Sequence, residues 1–422
     1  MSQRLTGLLP IGILLLTGAA VGADWPAFRG PHGDGTSPER GLPIKWGAQE
    51  NIVWKTRLPG PGTSSPIVWG DRVFVTCYTG YGEARGKKGD LEKLRRHLLC
   101  VDRPTGQILW DRPVAALQPE TEFNSYIAQH GYASSTPVTD GERVYVFFGR
   151  TGVLAFDFEG KQLWQTEVGT WLNSWGSAAS PILYRNLVIV NASIENGALI
   201  ALDKATGNRV WRAKGVPDCW STPLLVEVPG GKPELVINSQ GLLFGFDPDK
   251  GEELWRCEGI ETSAATSSPV AGRGVVFLMG AGPGGNLTMA VRAGGRGDVT
   301  KTHIVWKQKG GANHCSPILV GDYLYWISGQ AVCLRADTGQ VVFQERLYPA
   351  SQEFVSPVAA EGKIFAFTRR NGAFVLAAKD RLEQLAHNEL GDASDFNASP
   401  AVSHGQILIR SNEYLYCIGA KK

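Results

Sequence analysis

The chain is poor in the features that announce most activities. Apart from a short stretch near its start, no segment approaches the ~18 consecutive apolar residues that a membrane-spanning helix needs. Charge is nearly balanced: 42 Lys and Arg stand against 40 Asp and Glu, a net of +2, which gives no field for holding nucleic acid. The seven Cys include no adjacent pair, no Cys-x-x-Cys and no Cys-x-x-Cys-His, so dithiol and haem-attachment signals are missing. The seven His are scattered without the close spacing of zinc ligands, and no metal site is predicted. A Gly-x-Ser-x-Gly elbow, a Walker loop and an EF-hand loop are missing too. No residue can be assigned a catalytic role.

What the chain has instead is repetition. A Ser-Pro or Thr-Pro pair opens a β-branched apolar run at Pro66, Pro137, Pro181, Pro223, Pro269, Pro317, Pro357 and Pro400. After a longer first interval the spacing stays between 40 and 48 residues, the size of one supersecondary unit in a stacked array. Within a unit, period-2 runs such as Arg143-Val144-Tyr145-Val146-Phe147 alternate with Gly- and Asp-bearing turns about every ten residues. That pattern predicts four short antiparallel strands per unit. The 43% hydrophobic content and 52 Gly suit many short strands and turns.

The third strand of a unit runs into Ala-x-Asp-x-x-Thr-Gly-x-x-x-Trp, seen as Ala201, Asp203, Thr206, Gly207 and Trp211. Asp accepts from the turn backbone and Gly supplies positive φ, so the motif reads as a hairpin turn. The aromatic recurs as Trp54, Trp110, Trp164, Trp211, Trp255, Trp306 and Phe343, with Leu385 last, placed to cover one sheet and pack on the next. Trp54 precedes the first unit-opening Ser-Pro, Ser65-Pro66, and the last unit stops one strand short at Tyr416-Cys417-Ile418. Residues 51–55 are therefore expected to complete the last unit and close a ring.

This motif resembles the pyrroloquinoline-quinone-like (PQQ-like) repeat of eight-bladed β-propellers, a group including quinoprotein alcohol dehydrogenases and the outer-membrane assembly factor BamB. Residues 24–31 and 61–66 are similar to secreted bacterial members. The resemblance implies an all-β, eight-bladed propeller of four-stranded antiparallel blades, closed by the N-terminal strand, over residues 51–420, with an N-terminal extension at 24–50. It implies two function classes. The favoured one is a non-catalytic binding or scaffold module. The alternative is a PQQ- and calcium-dependent oxidoreductase lacking the vicinal disulfide that such enzymes place against the quinone.

Arg4, the apolar stretch from Leu8 to Ala20 and the small residues Val21-Gly22-Ala23 predict a signal peptide over residues 1–23. A periplasmic or secreted location follows, with no transmembrane span after cleavage. No Cys stands in the first thirty residues, so the lipidated start typical of BamB is not expected. Cys100, Cys333 and Cys417 take the slot of Ala155 and Ala201 and are expected to be buried, reduced spacers, while Cys219 and Cys315 are placed near the axis. A basic cluster from Arg85 to Arg96 reads as a solvated loop or short helix. A monomer is expected.

In a propeller the residues just before each innermost strand ring the mouth of the axial channel. These slots supply the candidate ligand-binding residues His130, Asn173, Trp175, Asp218, Trp220, Asn313, His314, Glu353, Asp395 and Asn397. Their mixture of aromatic, amide, imidazole and carboxylate groups suits a small polar ligand or a protein partner. Long loops at residues 78–97 and 112–131 would add to this face.

Overall fold

The computed structural model describes residues 22–84, 87–124, 127–262, 264–281, 285–349 and 355–420. Eight sheets are arranged in sequence, and each begins with the short strand that follows a Ser/Thr-Pro pair. These strands are Ile67–Trp69, Val138–Thr139, Ile182–Tyr184, Leu224–Val226, Val270–Gly272, Ile318–Val320, Val358–Ala360 and Ala401–Ser403, opening blades 1 to 8. Within each blade the strands pair antiparallel with their chain neighbours, as the alternation and turn signals require. Blade 8 takes its outer strand from Ile52–Arg57, which pairs with Tyr414–Ile418 in the register Ile52↔Ile418 and Arg57↔Tyr414. The expected closure is present.

The Asp-x-x-Thr-Gly turn works as its chemistry suggests. Asp203 Oδ1 accepts from Thr206 N and Thr206 Oγ1, both at 2.9 Å, and Gly207 has φ 74°. The same Gly makes room for a neighbour: a Cβ there would lie 2.7 Å from the Trp164 ring. Outer-strand Trp residues, Trp255 excepted, dock on the corresponding turn of the next blade. Trp54, Trp110, Trp211 and Trp306 donate from Nε1 to the carbonyls of Arg103, Phe158, Pro248 and Ala336 at 2.7, 2.8, 3.1 and 2.9 Å. Trp255 departs from the series. A short strand, Gly297–Asp298, runs parallel to its edge, and its Nε1 donates to Glu234 Oε2 within the same blade at 2.7 Å.

The apolar core lies between blades. One cluster combines Ile189, Leu199, Ala201 and Trp211 of blade 3 with Leu235, Ile237 and Phe244 of blade 4. All seven Cys are buried and free of disulfides. Cys100 faces Trp110, Cys333 faces Phe343 and Cys417 faces Trp54 across strand pairs, in the small-residue slot. Burial pushes the Cys100 and Cys333 thiols up to about 12. Cys315 packs between blades 5 and 6, and Cys219 sits against Asn191 and Ser193, so neither lines the axis.

Two segments depart from the sequence picture. Arg96, counted with the basic cluster, is buried and paired with Glu120 at 2.5 Å while donating to Tyr132 O at 2.9 Å. The first-blade insertion and the 112–131 connection fold together over a satellite core of Tyr78, Tyr81, Leu94, Phe123, Ile127 and Tyr132. They form a packed cap in place of open loops.

The N-terminal extension is also built into the body. Trp25 exchanges backbone bonds with Val68 of blade 1 at 2.9 and 2.8 Å, and Thr139 N of blade 2 donates to Pro26 O at 2.9 Å. Arg29, 1% exposed, donates from Nη2 to Pro317 O at blade 6. Thr36–Ser37 then pairs parallel with the inner strand of blade 7. The segment thus runs from blades 1 and 2 to blades 6 and 7 and brings Phe28 into the lining of the channel cavity.

Candidate functional site

The channel wall follows from the period of an extended chain. Along each connection into a blade, alternate side chains face the axis. The Ser or Thr of the Ser/Thr-Pro pair points inward, as does the residue two before it at the seven starts where that residue is described, while the residue between them points into the blade. Ser135 Oγ and Ser221 Oγ, in that intermediate position, donate to Ala179 O and Asn238 O.

The inward hydroxyls form a closed collar. Ser65 N donates to Thr136 Oγ1 at 2.9 Å, Thr136 N to Ser180 Oγ at 3.0 Å, Ser180 N to Thr222 Oγ1 at 3.1 Å and Thr222 N to Ser268 Oγ at 2.9 Å. The chain continues through Ser316, Ser356 and Ser399 at 3.0, 2.9 and 3.0 Å and returns from Ser399 N to Ser65 Oγ at 3.1 Å. Eight oxygens therefore circle the axis, each accepting from the previous blade. Among the described residues none of their hydroxyl protons has an acceptor. This collar was not among the features expected from the sequence. Its signal was available, since Pro is preceded by Ser or Thr and never by another residue at all eight starts.

Above the collar a second tier contains Thr63, Ser134, Ala178, Trp220, Thr266, His314 and Asn397. Of the ten candidates, six line the same cavity: His130, Trp175, Trp220, Asn313, His314 and Asn397. The Trp175 and Trp220 rings lie 5.1 Å apart at 34° and make one aromatic wall. Trp220 is 8% exposed and donates from Nε1 to Gly176 O at 2.7 Å. His130, at the end of the short helix Ile127–His130, contacts Ser134 Oγ through Nδ1 at 2.6 Å and Trp175 O through Nε2 at 2.7 Å. A carbonyl accepts only, so Nε2 carries the proton. Burial lowers the His130 pKa, leaving a neutral strut that holds Trp175. Burial, with His130 and Arg369 nearby, lowers His314 to about 4.

Three candidates serve elsewhere. Asn173 Nδ2 donates to Asp218 Oδ2 at 3.0 Å and Asn173 Oδ1 accepts from Trp175 N at 2.9 Å, so this pair braces the Trp175 loop from behind. Asp395 is held by Arg369 and Arg370 at 2.7 and 2.5 Å. Burial alone would raise its pKa, but these bonds bring it below the usual carboxylate range. Glu353 lies outside the described residues.

A further supporting group was not singled out from the sequence. Glu195, 2% exposed, accepts from Ser177 Oγ through Oε1, and its Oε2 has no partner among the described residues. Burial pushes its pKa up to about 7. Its backbone carbonyl accepts from Trp171 N at 3.1 Å, so Glu195 underlies the loop that carries Trp175.

The cavity offers about 190 Å³, where a single water needs on the order of 10–15 Å³, so a small molecule fits. Among the described lining residues there is no Asp, Glu, Lys or Arg. Calcium is held by several oxygens, carboxylates prominent among them, and a polyanionic quinone such as PQQ needs cationic partners. The described residues form no group of three or more His, Cys, Asp or Glu able to hold a metal. The described residues do not fit a quinone–calcium pair.

A family model described as outer membrane protein assembly factor BamB matches residues 95–345. The structure is similar to that of BamB from Moraxella catarrhalis, with 12% identity, a TM-score of 0.58, and coverage of 87% of this chain and 99% of that one. It is similar also to the computationally designed Ika8 protein, with 13% identity, a TM-score of 0.57 and coverage of 86% and 98%. A europium-containing methanol dehydrogenase matches with 12% identity, a TM-score of 0.50 and coverage of 93% and 90%. No curated protein sequence matches the chain significantly. At these identities the structural likeness concerns the fold alone.

Proposed function

Because the chain belongs to the PQQ-like propeller family, whose fold carries both assembly factors and quinone enzymes, we propose that it is a non-catalytic binding or scaffold module working through its axial channel and capped top face. The observation that carries this reading is the chemistry of the channel wall. Among its described residues the groups that titrate near neutrality are His130 and His314, both with lowered pKa, and His130 is committed through both ring nitrogens. A general acid–base pair would need two such groups aimed at one reacting atom. Among its described residues the wall also supplies neither cation nor carboxylate for the cofactor of the dehydrogenases sharing its fold.

The leader at residues 1–23, which lies almost wholly outside the described residues, directs export, and the mature chain works in the periplasm or beyond. N-terminal sequencing of protein from the producing cell tests this, with cleavage after Ala23 as the expected result. The functional reading is tested by incubating the purified protein with PQQ and calcium, removing unbound quinone by gel filtration, and recording the absorption spectrum and dye reduction with primary alcohols. No retained quinone and no dye reduction are expected. Stoichiometric quinone with alcohol-dependent turnover would favour the oxidoreductase alternative instead.

A further inference from the structure

We propose that the axial channel takes an uncharged polyhydroxylated molecule, of the size of a monosaccharide or cyclic polyol. This deepens the reading above and rests on it.

Charge is the first constraint. A ligand entering the channel leaves water, and an ion doing so must find a counter-charge or bear its desolvation unaided. The described wall has none to offer in either sign, and the lowered pKa values of His130 and His314 keep both imidazoles neutral.

Hydrogen bonding is the second. The eight collar oxygens already accept a backbone N–H each, which leaves eight hydroxyl protons directed by no protein acceptor among the described residues. Asn313 and Asn397 line the same cavity, and their Oδ1 atoms are acceptors in the opposite condition, buried without a donor among the described residues. Asn397 is fixed in orientation, because its Nδ2 donates to Gln129 O at 3.1 Å. Leaving such groups unpaired is costly, and they call for a partner that donates and accepts at several points around one ring. A hydroxyl does both, whereas a hydrocarbon does neither.

Shape is the third. On the flank of the collar stand Trp175 and Trp220, an apolar face with its polar N–H turned away into Gly176 O in the case of Trp220. A sugar or cyclitol ring has this same duality, with C–H groups on its faces and hydroxyls on its rim. Such a ring can lie against the aromatic wall and direct its rim to the collar and amides.

The test is calorimetric titration of the mature protein with glucose, galactose, myo-inositol and a disaccharide, beside glucuronate, glucosamine and PQQ with calcium. Saturable 1:1 binding of at least one neutral member is expected, with its charged analogue at least tenfold weaker. Trp175→Ala should weaken that binding at least tenfold, and Asn313→Asp, which keeps size and adds charge, should do the same in a protein that still unfolds cooperatively. No saturable binding across the neutral panel, equal binding of the charged analogues, or unaltered affinity in a folded Asn313→Asp protein would overturn the proposal. If the neutral panel fails and PQQ with calcium also fails, only the ligand class is wrong. If the panel fails and PQQ with calcium binds in its place, the non-catalytic reading falls with it.

Discussion

Single residues divide into those that serve a ligand and those that hold the wall, and burial separates them. Trp220 was legible in the sequence as a wall residue, but its almost complete burial and its bond to Gly176 make it a packing element as well. Trp220→Ala is expected to cost about 3–5 kcal/mol in denaturant unfolding, whereas Trp175→Ala and Trp110→Ala, both at half-buried positions, should cost less. Two titrations of opposite sign should appear. His314 has a folded pKa near 4 below an unfolded value of ~6.5, so the neutral form is favoured by folding. The stability this gives is complete above pH ~6.5 and is lost as pH falls through 4. His314→Asn should flatten the melting temperature between pH 7 and pH 4.5. Glu195 has its pKa raised to about 7, so its contribution is present below the unfolded carboxyl value and is lost as pH rises through 7. Glu195→Gln should raise stability at pH 8 by on the order of 2 kcal/mol and change little at pH 4.5. Iodoacetamide should leave Cys100 and Cys333 unmodified in native protein and alkylate both after denaturation; mass spectrometry reads the difference.

At the scale of the element, strands and turns were readable because their chemistry is local. Alternation marks the strands, and Asp203, Thr206 and Gly207 write one turn within five residues. The collar was not readable in the same way, because its bonds join residues 40 to 71 positions apart, and 334 apart at the closure, and use a hydroxyl whose neighbouring Pro draws attention to the backbone. Asn173 and Asp395 were misplaced for a related reason: chain position put them near the mouth, but partners on other connections, Asp218 and Arg369, turn them away from it. The collar makes a sharp prediction. Ser316→Ala removes one acceptor and leaves the buried Ser268 N–H unpaired, which should cost about 1–3 kcal/mol. Ser316→Thr, retaining the hydroxyl, should restore most of the loss in the same thermal unfolding assay.

For the whole molecule, closure was legible from arithmetic: the last unit lacked one strand and the first Trp had no unit of its own. Deleting residues 24–56 should expose the edge of Tyr414–Ile418 and yield aggregated protein, seen by light scattering; a monomeric, cooperatively unfolding product would argue against closure as the source of stability. What the sequence did not disclose was the path of residues 24–37, because their partners on blades 1, 2, 6 and 7 are brought together only by the finished ring. That path decides how the axis can be used. If this segment, whose Phe28 lines the channel cavity, closes that end, the channel is a well with a floor. Anything that enters such a well leaves by the same opening, so a long polymer cannot be threaded through and slid along. If the occupant belongs to a chain, only its terminal unit can reach the collar, and the protein would read ends, being blind to the middle of the same polymer.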